Sequence, residues 1–126
     1  VNMKRRIYYH DTDCGGVVYY ANYLKYMEEA RTEFFEQRGI LIQELSHNGT
    51  LFVVARQEID YKAPAFYADT LEVTSLLEGT SAVKMEFSHE VKNQKGQLIC
   101  RGKAVLVCVD GTIRPKPIPE EIRSKL

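Results

Sequence analysis

The sequence predicts an α+β fold in which one long helix lies on a single curved antiparallel sheet. Two observations carry this: one long amphipathic stretch near the N-terminus, and four β-rich segments after it with no second long helical pattern. The turn that leads into the helix, His10-Asp11-Thr12-Asp13-Cys14-Gly15-Gly16, concentrates the chemically interesting residues.

In chain order, Lys4 to Tyr9 starts charged and ends Ile7-Tyr8-Tyr9, a short β-prone run read as the first strand. The helix follows from spacing. Tyr23, Leu24, Met27, Ala30 and Phe34 fall at i, i+1, i+4, i+7 and i+11, one stripe at helical period. Lys25, Glu28, Glu29, Arg31, Glu33, Glu36 and Arg38 mostly take the other side, Glu28 and Arg31 reading as a solvated or interface ion pair. Asn22 is read as the N-cap and Gly39 as the left-handed residue past the C-terminus. From Asn22 to Arg38 such a helix is roughly 25 Å long. Leu41 to Leu45 reads as one or two further helical turns, and Ser46-His47-Asn48-Gly49 as a loop.

Four strands are predicted next: Leu51 to Tyr61, Leu71 to Leu77, Ala82 to Val91 and Leu98 to Val109. Pro64, Gly79-Thr80-Ser81 and Asn93-Gln94-Lys95-Gly96 separate them, and connectors this short predict an antiparallel meander. Pro115, Pro117 and Pro119 then stiffen a tail before a short polar helix from Glu120 to Leu126.

With 126 residues the chain reads as one domain, 1–126, which buries roughly two-thirds of its unfolded surface. Seventeen basic and seventeen acidic residues balance, and no basic cluster interleaves with aromatics, which argues against a nucleic-acid partner. Apolar runs such as Ala104 to Val109 are strand-sized and predict no membrane span; no apolar stretch follows the basic N-terminus as in a leader. Cys14, Cys100 and Cys108 have neither disulfide arithmetic nor metal-site spacing, so no metal is expected and free thiols fit a cytoplasmic location. One helix covers only part of a five-stranded sheet, and Tyr26 and Phe35 lie just off its stripe, so pairing into at least a homodimer is expected.

From the residues alone, Asp11 and Asp13 are most simply turn and capping residues. The chemical alternative is that Asp13, beside the unpaired N–H groups of the first helical turn, attacks a carbonyl or directs water at it. Gly15 and Gly16 would let the backbone turn tightly or let a ligand approach.

The run Tyr9-His10-Asp11-Thr12-Asp13-Cys14-Gly15-Gly16-Val17-Val18-Tyr19-Tyr20-Ala21-Asn22-Tyr23, with Glu28-Glu29-Ala30-Arg31-Thr32-Glu33 after it, resembles the signature of the hotdog-fold acyl-CoA thioesterases of the YbgC and 4-hydroxybenzoyl-CoA thioesterase type. The predicted element order matches the hotdog topology over nearly the whole chain. The resemblance implies an acyl-CoA substrate, with acyl-carrier protein as the alternative carrier, a dimer of hotdogs often paired into a homotetramer, and no cofactor. It implies that Asp13 is the catalytic carboxylate and that a backbone N–H at Tyr20 or a neighbour polarises the thioester. Tyr9, Gly15, Gly16, Val18 and Tyr20 are then the substrate-binding positions. The YbgC branch commonly has histidine where this chain has Tyr20, so only a main-chain role carries over.

Three other readings use nearby residues. Cys14 with His10 would form a nucleophile and base, although no third group orients the imidazole. His10 with Asp13 would suit a hotdog dehydratase, and loss of turnover would leave a non-catalytic acyl-CoA or acyl-carrier binding module. His47 and His89 are isolated and read as surface groups. Lys84, Lys92, Lys95, Arg101, Lys103 and Arg114 are candidates for the CoA phosphates, and equally read as solvated strand residues.

Overall fold

The computed structural model describes residues 2–126. Its elements in order are β1 (Asn2–Arg6), α1 (Asn22–Gln37), α2 (Ile42–His47), β2 (Leu51–Tyr61), β3 (Thr70–Thr80), β4 (Lys84–Lys92), β5 (Leu98–Val109) and α3 (Glu120–Arg123). All five strands join one antiparallel sheet in the order β1-β3-β4-β5-β2. With α1 packed against its inner face, this is the α+β hotdog arrangement.

Strand order corrects the expected meander. Only β3, β4 and β5 follow one another in space; β2 pairs with β5 at the far edge, Leu51 opposite Val109 and Tyr61 opposite Cys100. The connector 62–69 therefore crosses from one side of the sheet to the other, and it finds backbone partners on the way. Lys62 and Ala63 donate to the Ile99 carbonyl, Ala65 accepts from Val18, and Ala68 and Asp69 exchange hydrogen bonds with Ile7. Pro64 thus marks a crossover rather than a hairpin.

Boundaries shift for similar reasons. β1 ends at Arg6, because Ile7 pairs with the crossover and Tyr9–Asp11 close a single 3-10 turn. Gly79 lies inside β3, paired with Glu86 beside a register shift in which Glu78 is the extra residue, and a residue without a side chain suits the bulge. Asn22 is the first helical residue, Ala21 occupies the N-cap, and the Asn22 side-chain amide instead donates to the Asp11 carbonyl at 2.9 Å. The other end of α1 closes as expected: Gly39 has φ +73°, Gly39 donates to the Glu36 carbonyl and Ile40 to that of Phe35, a Schellman closure.

The buried stripe of α1 is Tyr23, Tyr26, Met27, Ala30, Arg31, Phe34 and Phe35, rotated from the expected one, with Leu24 left exposed. Its first half packs with Ile7, Leu71, Val73, Val91 and Cys100, its second with Met85, Phe87, Leu106 and Ile122. Phe34 meets Phe87 edge-on, ring centroids 5.1 Å apart, and Phe35 stacks on Phe52. Alternate prolines in the tail leave Lys116 and Ile118 to donate to the Cys108 and Ala82 carbonyls, which brings Ile118 and Ile122 into the second cluster.

Between the two clusters sits a polar seam that the sequence reading misplaced. His89 is 1% exposed rather than a surface group, and Arg31 is 7% exposed rather than a solvated partner of Glu28, whose carboxylate takes the Thr32 hydroxyl instead. Arg31 Nη1 lies 3.5 Å from His89 Nε2, and His89 Nδ1 lies 3.2 Å from the Thr74 carbonyl. A guanidinium needs the Nε2 lone pair, so the ring proton belongs on Nδ1 and is donated to Thr74. Burial, with Arg31 beside it, pushes the His89 pKa down to about 4.

Candidate active site

Residues 11–19 form a small hairpin that ends where α1 begins. Tyr19 N–H donates to the Asp11 carbonyl, Thr12 bridges Val18, and Asp13 N–H donates to the Val17 carbonyl. Gly15 and Gly16 sit at its tip, where Gly16 adopts φ +82°, a conformation that a Cβ penalises. The crossover backs the second limb through the Val18 and Ala65 hydrogen bond and the Val17 and Phe66 bridge.

Asp11 and Asp13 face different surroundings. Asp11 is 5% exposed; its Oδ2 accepts the Tyr8 N–H at 2.9 Å, and Arg5 Nη2 lies 3.7 Å from its Oδ1. Arg5 also donates to both Glu29 oxygens at 2.6 Å and lies over the Tyr26 ring, tying β1, the hairpin base and α1 together. Desolvation, then the nearby Asp11 carboxylate, raises the Tyr26 pKa. Asp13 is exposed at the tip. Its Oδ1 accepts the Gly15 N–H at 2.8 Å, which orients the carboxylate, and its Oδ2 has no recorded protein partner among the described residues. One oxygen is held and the other is open to solvent. Such a group can act as a base or a nucleophile.

At the exit of the hairpin, Asn22 N–H donates to Tyr19, whereas Tyr20 N–H and Ala21 N–H have no recorded acceptor among the described residues. Tyr20 is 62% exposed, its ring 4.9 Å from that of Tyr19, and its carbonyl accepts the Tyr61 hydroxyl at 2.9 Å. Tyr9 is 81% exposed, edge-on to Tyr67. Of the positions named from sequence, Tyr9, Asp13, Gly15, Gly16 and Tyr20 thus share one exposed end of the fold. Val18 differs: its side chain is buried with Ile7 and Tyr23 in the first core cluster. Tyr61, Phe66 and Tyr67 reach the same end from the crossover side and were missed, since only the strand order brings them there.

The competing nucleophile lacks its geometry. The exposed His10 imidazole leans toward Asp11, Nε2 to Oδ2 3.8 Å, and has no recorded contact with Cys14 or Asp13 among the described residues. Cys100 and Cys108 are buried, and burial pushes the Cys100 thiol up to about 12. Among the described residues no cluster of three His, Cys, Asp or Glu side chains is placed to hold a metal ion, and no helix is long and apolar enough to cross a membrane.

The outer sheet face carries a groove of about 500 Å³ lined by Glu58, Asp60, Glu90, Arg101 and Lys103, among others. Arg101 Nε donates to Glu90 at 3.0 Å and Lys92 Nζ lies 3.9 Å from the same carboxylate, so these two candidates for phosphate contacts share one acid. Asp13 does not line this groove.

A family model described as thioesterase-like superfamily matches residues 8–126, which include the whole hairpin. The chain belongs to the thioesterase-like superfamily. Within this superfamily it is 34% identical over 118 residues to the acyl-CoA thioester hydrolase YbgC of Escherichia coli O6:H1, covering 93% of this chain and 88% of that one. It superposes with a TM-score of 0.91 on Slr0204, a 1,4-dihydroxy-2-naphthoyl-CoA thioesterase from Synechocystis, at 25% identity over 98% of this chain and 93% of that one. A thioesterase complexed with coenzyme A and zinc from Thermus thermophilus aligns with a TM-score of 0.84 and 35% identity, covering 98% of this chain and 89% of that one.

Proposed function

We propose that this chain hydrolyses acyl-CoA thioesters to a carboxylic acid and CoA, with Asp13 as the essential carboxylate. The observation that carries the assignment of Asp13 is its carboxylate geometry: Oδ1 fixed by the Gly15 N–H, Oδ2 open, on the hairpin that delivers the free N–H groups of Tyr20 and Ala21. Membership of the thioesterase-like superfamily supplies the bond type.

Two routes use the same group. In one, an Asp13 oxygen adds to the thioester carbon and the C–S bond breaks, leaving a mixed anhydride that water hydrolyses. In the other, Asp13 takes a proton from the water that adds, and the C–S bond then breaks. In both, negative charge builds on the former carbonyl oxygen, which the helix-start N–H groups are suited to receive. CoA leaves as thiolate and takes a proton from solvent, so no dedicated acid is required. Tyr9 and Tyr20 border the acyl group, and Gly15 and Gly16 allow its carbonyl to approach the backbone. Val18 supports the site from the core.

A homodimer, paired again into a homotetramer, is the assembly we favour: Tyr8, Tyr9, Tyr19, Tyr20, Tyr61, Phe66 and Tyr67 are all exposed on the single chain. Light scattering that returned the mass of one chain would contradict it. The carrier is free CoA or acyl-carrier protein, and the compartment is the cytoplasm.

The decisive experiment follows thiol release from short, long, branched and aromatic acyl-CoAs by the native chain and Asp13→Asn. Turnover should fall by about a hundredfold or more in the variant while a non-hydrolysable CoA analogue still binds. Equal rates would remove Asp13 from the mechanism, and no release above background from any thioester would leave a binding module.

A further inference from the structure

Tyr61 is the last residue of β2, opposite Cys100, and belongs to none of the motif positions. Its ring packs against Tyr23 and Tyr20, centroids 5.8 and 6.3 Å away, and its hydroxyl donates to the Tyr20 carbonyl. That carbonyl is half of the peptide unit whose other half is the Ala21 N–H. In a trans peptide the two groups point in opposite directions, and the described chain has no cis bond. A proton donated to the carbonyl from one side therefore leaves the N–H aimed at the other. It also draws electron density toward oxygen, which makes the same unit's N–H a stronger donor.

No other recorded hydrogen bond among the described residues holds this unit. The Asn22 side chain fixes the Asp11 carbonyl, and the Asp11 carboxylate fixes Tyr8. Tyr19 N–H anchors the preceding residue to the hairpin. The orientation of the Ala21 N–H, one of the two free donors at the hairpin exit, is thus set from β2, whose last residue is Tyr61.

We propose that Tyr61 is a positioning residue for thioester hydrolysis: its hydroxyl locks and polarises the Tyr20–Ala21 peptide so that the Ala21 N–H receives the charge developing on the thioester oxygen. This rests on the hydrolase reading above. Because that charge is larger in the transition state than in bound substrate, the contribution belongs in kcat rather than KM.

Tyr61→Phe keeps the ring and removes only the hydroxyl. With the best hydrolysed of acetyl-, decanoyl- and benzoyl-CoA, kcat should fall about tenfold, with KM and Tm unchanged. The second readout is the infrared band of that thioester, carbon-13 labelled at its carbonyl and bound to Asp13→Asn. Adding Tyr61→Phe should move the band back toward its frequency in water. Native kcat in Tyr61→Phe overturns the proposal, as does an unmoved band or a kcat loss that tracks a loss of Tm. Failure of the parent reading looks different: either the native chain cleaves none of the thioesters above background, or Asp13→Asn itself turns over at the native rate.

Discussion

At the residue scale, the two glycines at the hairpin tip are there for different reasons. Gly16 needs its positive φ, and a Cβ there meets nothing within 4 Å, so Gly16→Ala acts through backbone strain of about 1 kcal/mol. Gly15 needs room: a Cβ would stand 3.2 Å from Asp13 Oδ1, the oxygen that the Gly15 N–H holds. Gly15→Ala should therefore displace the carboxylate by a few tenths of an ångström. We expect roughly a tenfold loss of kcat, with Tm within a degree or two because the tip is exposed; unchanged kcat would show that the carboxylate tolerates the shift. Asp13, Gly15 and Gly16 were legible as one tight turn, because they are local in sequence and the shape of the turn follows from backbone chemistry. Asp11 is the turn residue the sequence suggests, its carboxylate accepting the Tyr8 N–H. The sequence could not place Tyr61, whose neighbour Tyr20 is forty-one residues away.

At the element scale, α1 was legible in length and in its C-terminal closure, because apolar period and a terminal glycine are local signals. Its rotation was not. A buried Arg31 looks, in a hydropathy pattern, like part of the solvated face; the His89 imidazole on β4, with the Glu28 charge nearby, lets the core accept it. The same holds for the tight approach of helix to sheet at Gly102. A Cβ there would stand 2.6 Å from Met27 Sδ and 3.2 Å from the Glu58 carbonyl oxygen of β2. The methionine can swing away, but the neighbouring strand's backbone cannot. Gly102→Ala should destabilise the fold by about 1–3 kcal/mol, read as a Tm several degrees lower, whereas Ala at the unobstructed Gly111 supplies the control. Equal melting temperatures for the two variants would show that the sheet gives way easily.

At the scale of the whole molecule, the polar seam ties stability to pH. His89 titrates near 4 in the folded chain and near 6.5 when unfolded, so the unfolded state takes up the proton first. The stability it contributes is complete above about pH 6.5 and is lost as pH falls toward 4, on the order of 3 kcal/mol in all. Urea midpoints measured from pH 7 to 4.5 should drop, and drop less steeply in His89→Gln; parallel curves would assign the loss to carboxylates instead. The fold class was legible from element order, but the strand order was not, because short connectors favour neighbours and say nothing of a linker that finds partners while crossing. That crossing also decides when the pieces can meet. During synthesis Tyr61 emerges long before Cys100, and β1 must wait for β3, so neither end of the sheet has a mate when it leaves the ribosome. The central three-strand run can zip up by itself, whereas the hairpin end, framed by the exits of both waiting strands, is the last part of the molecule to become itself.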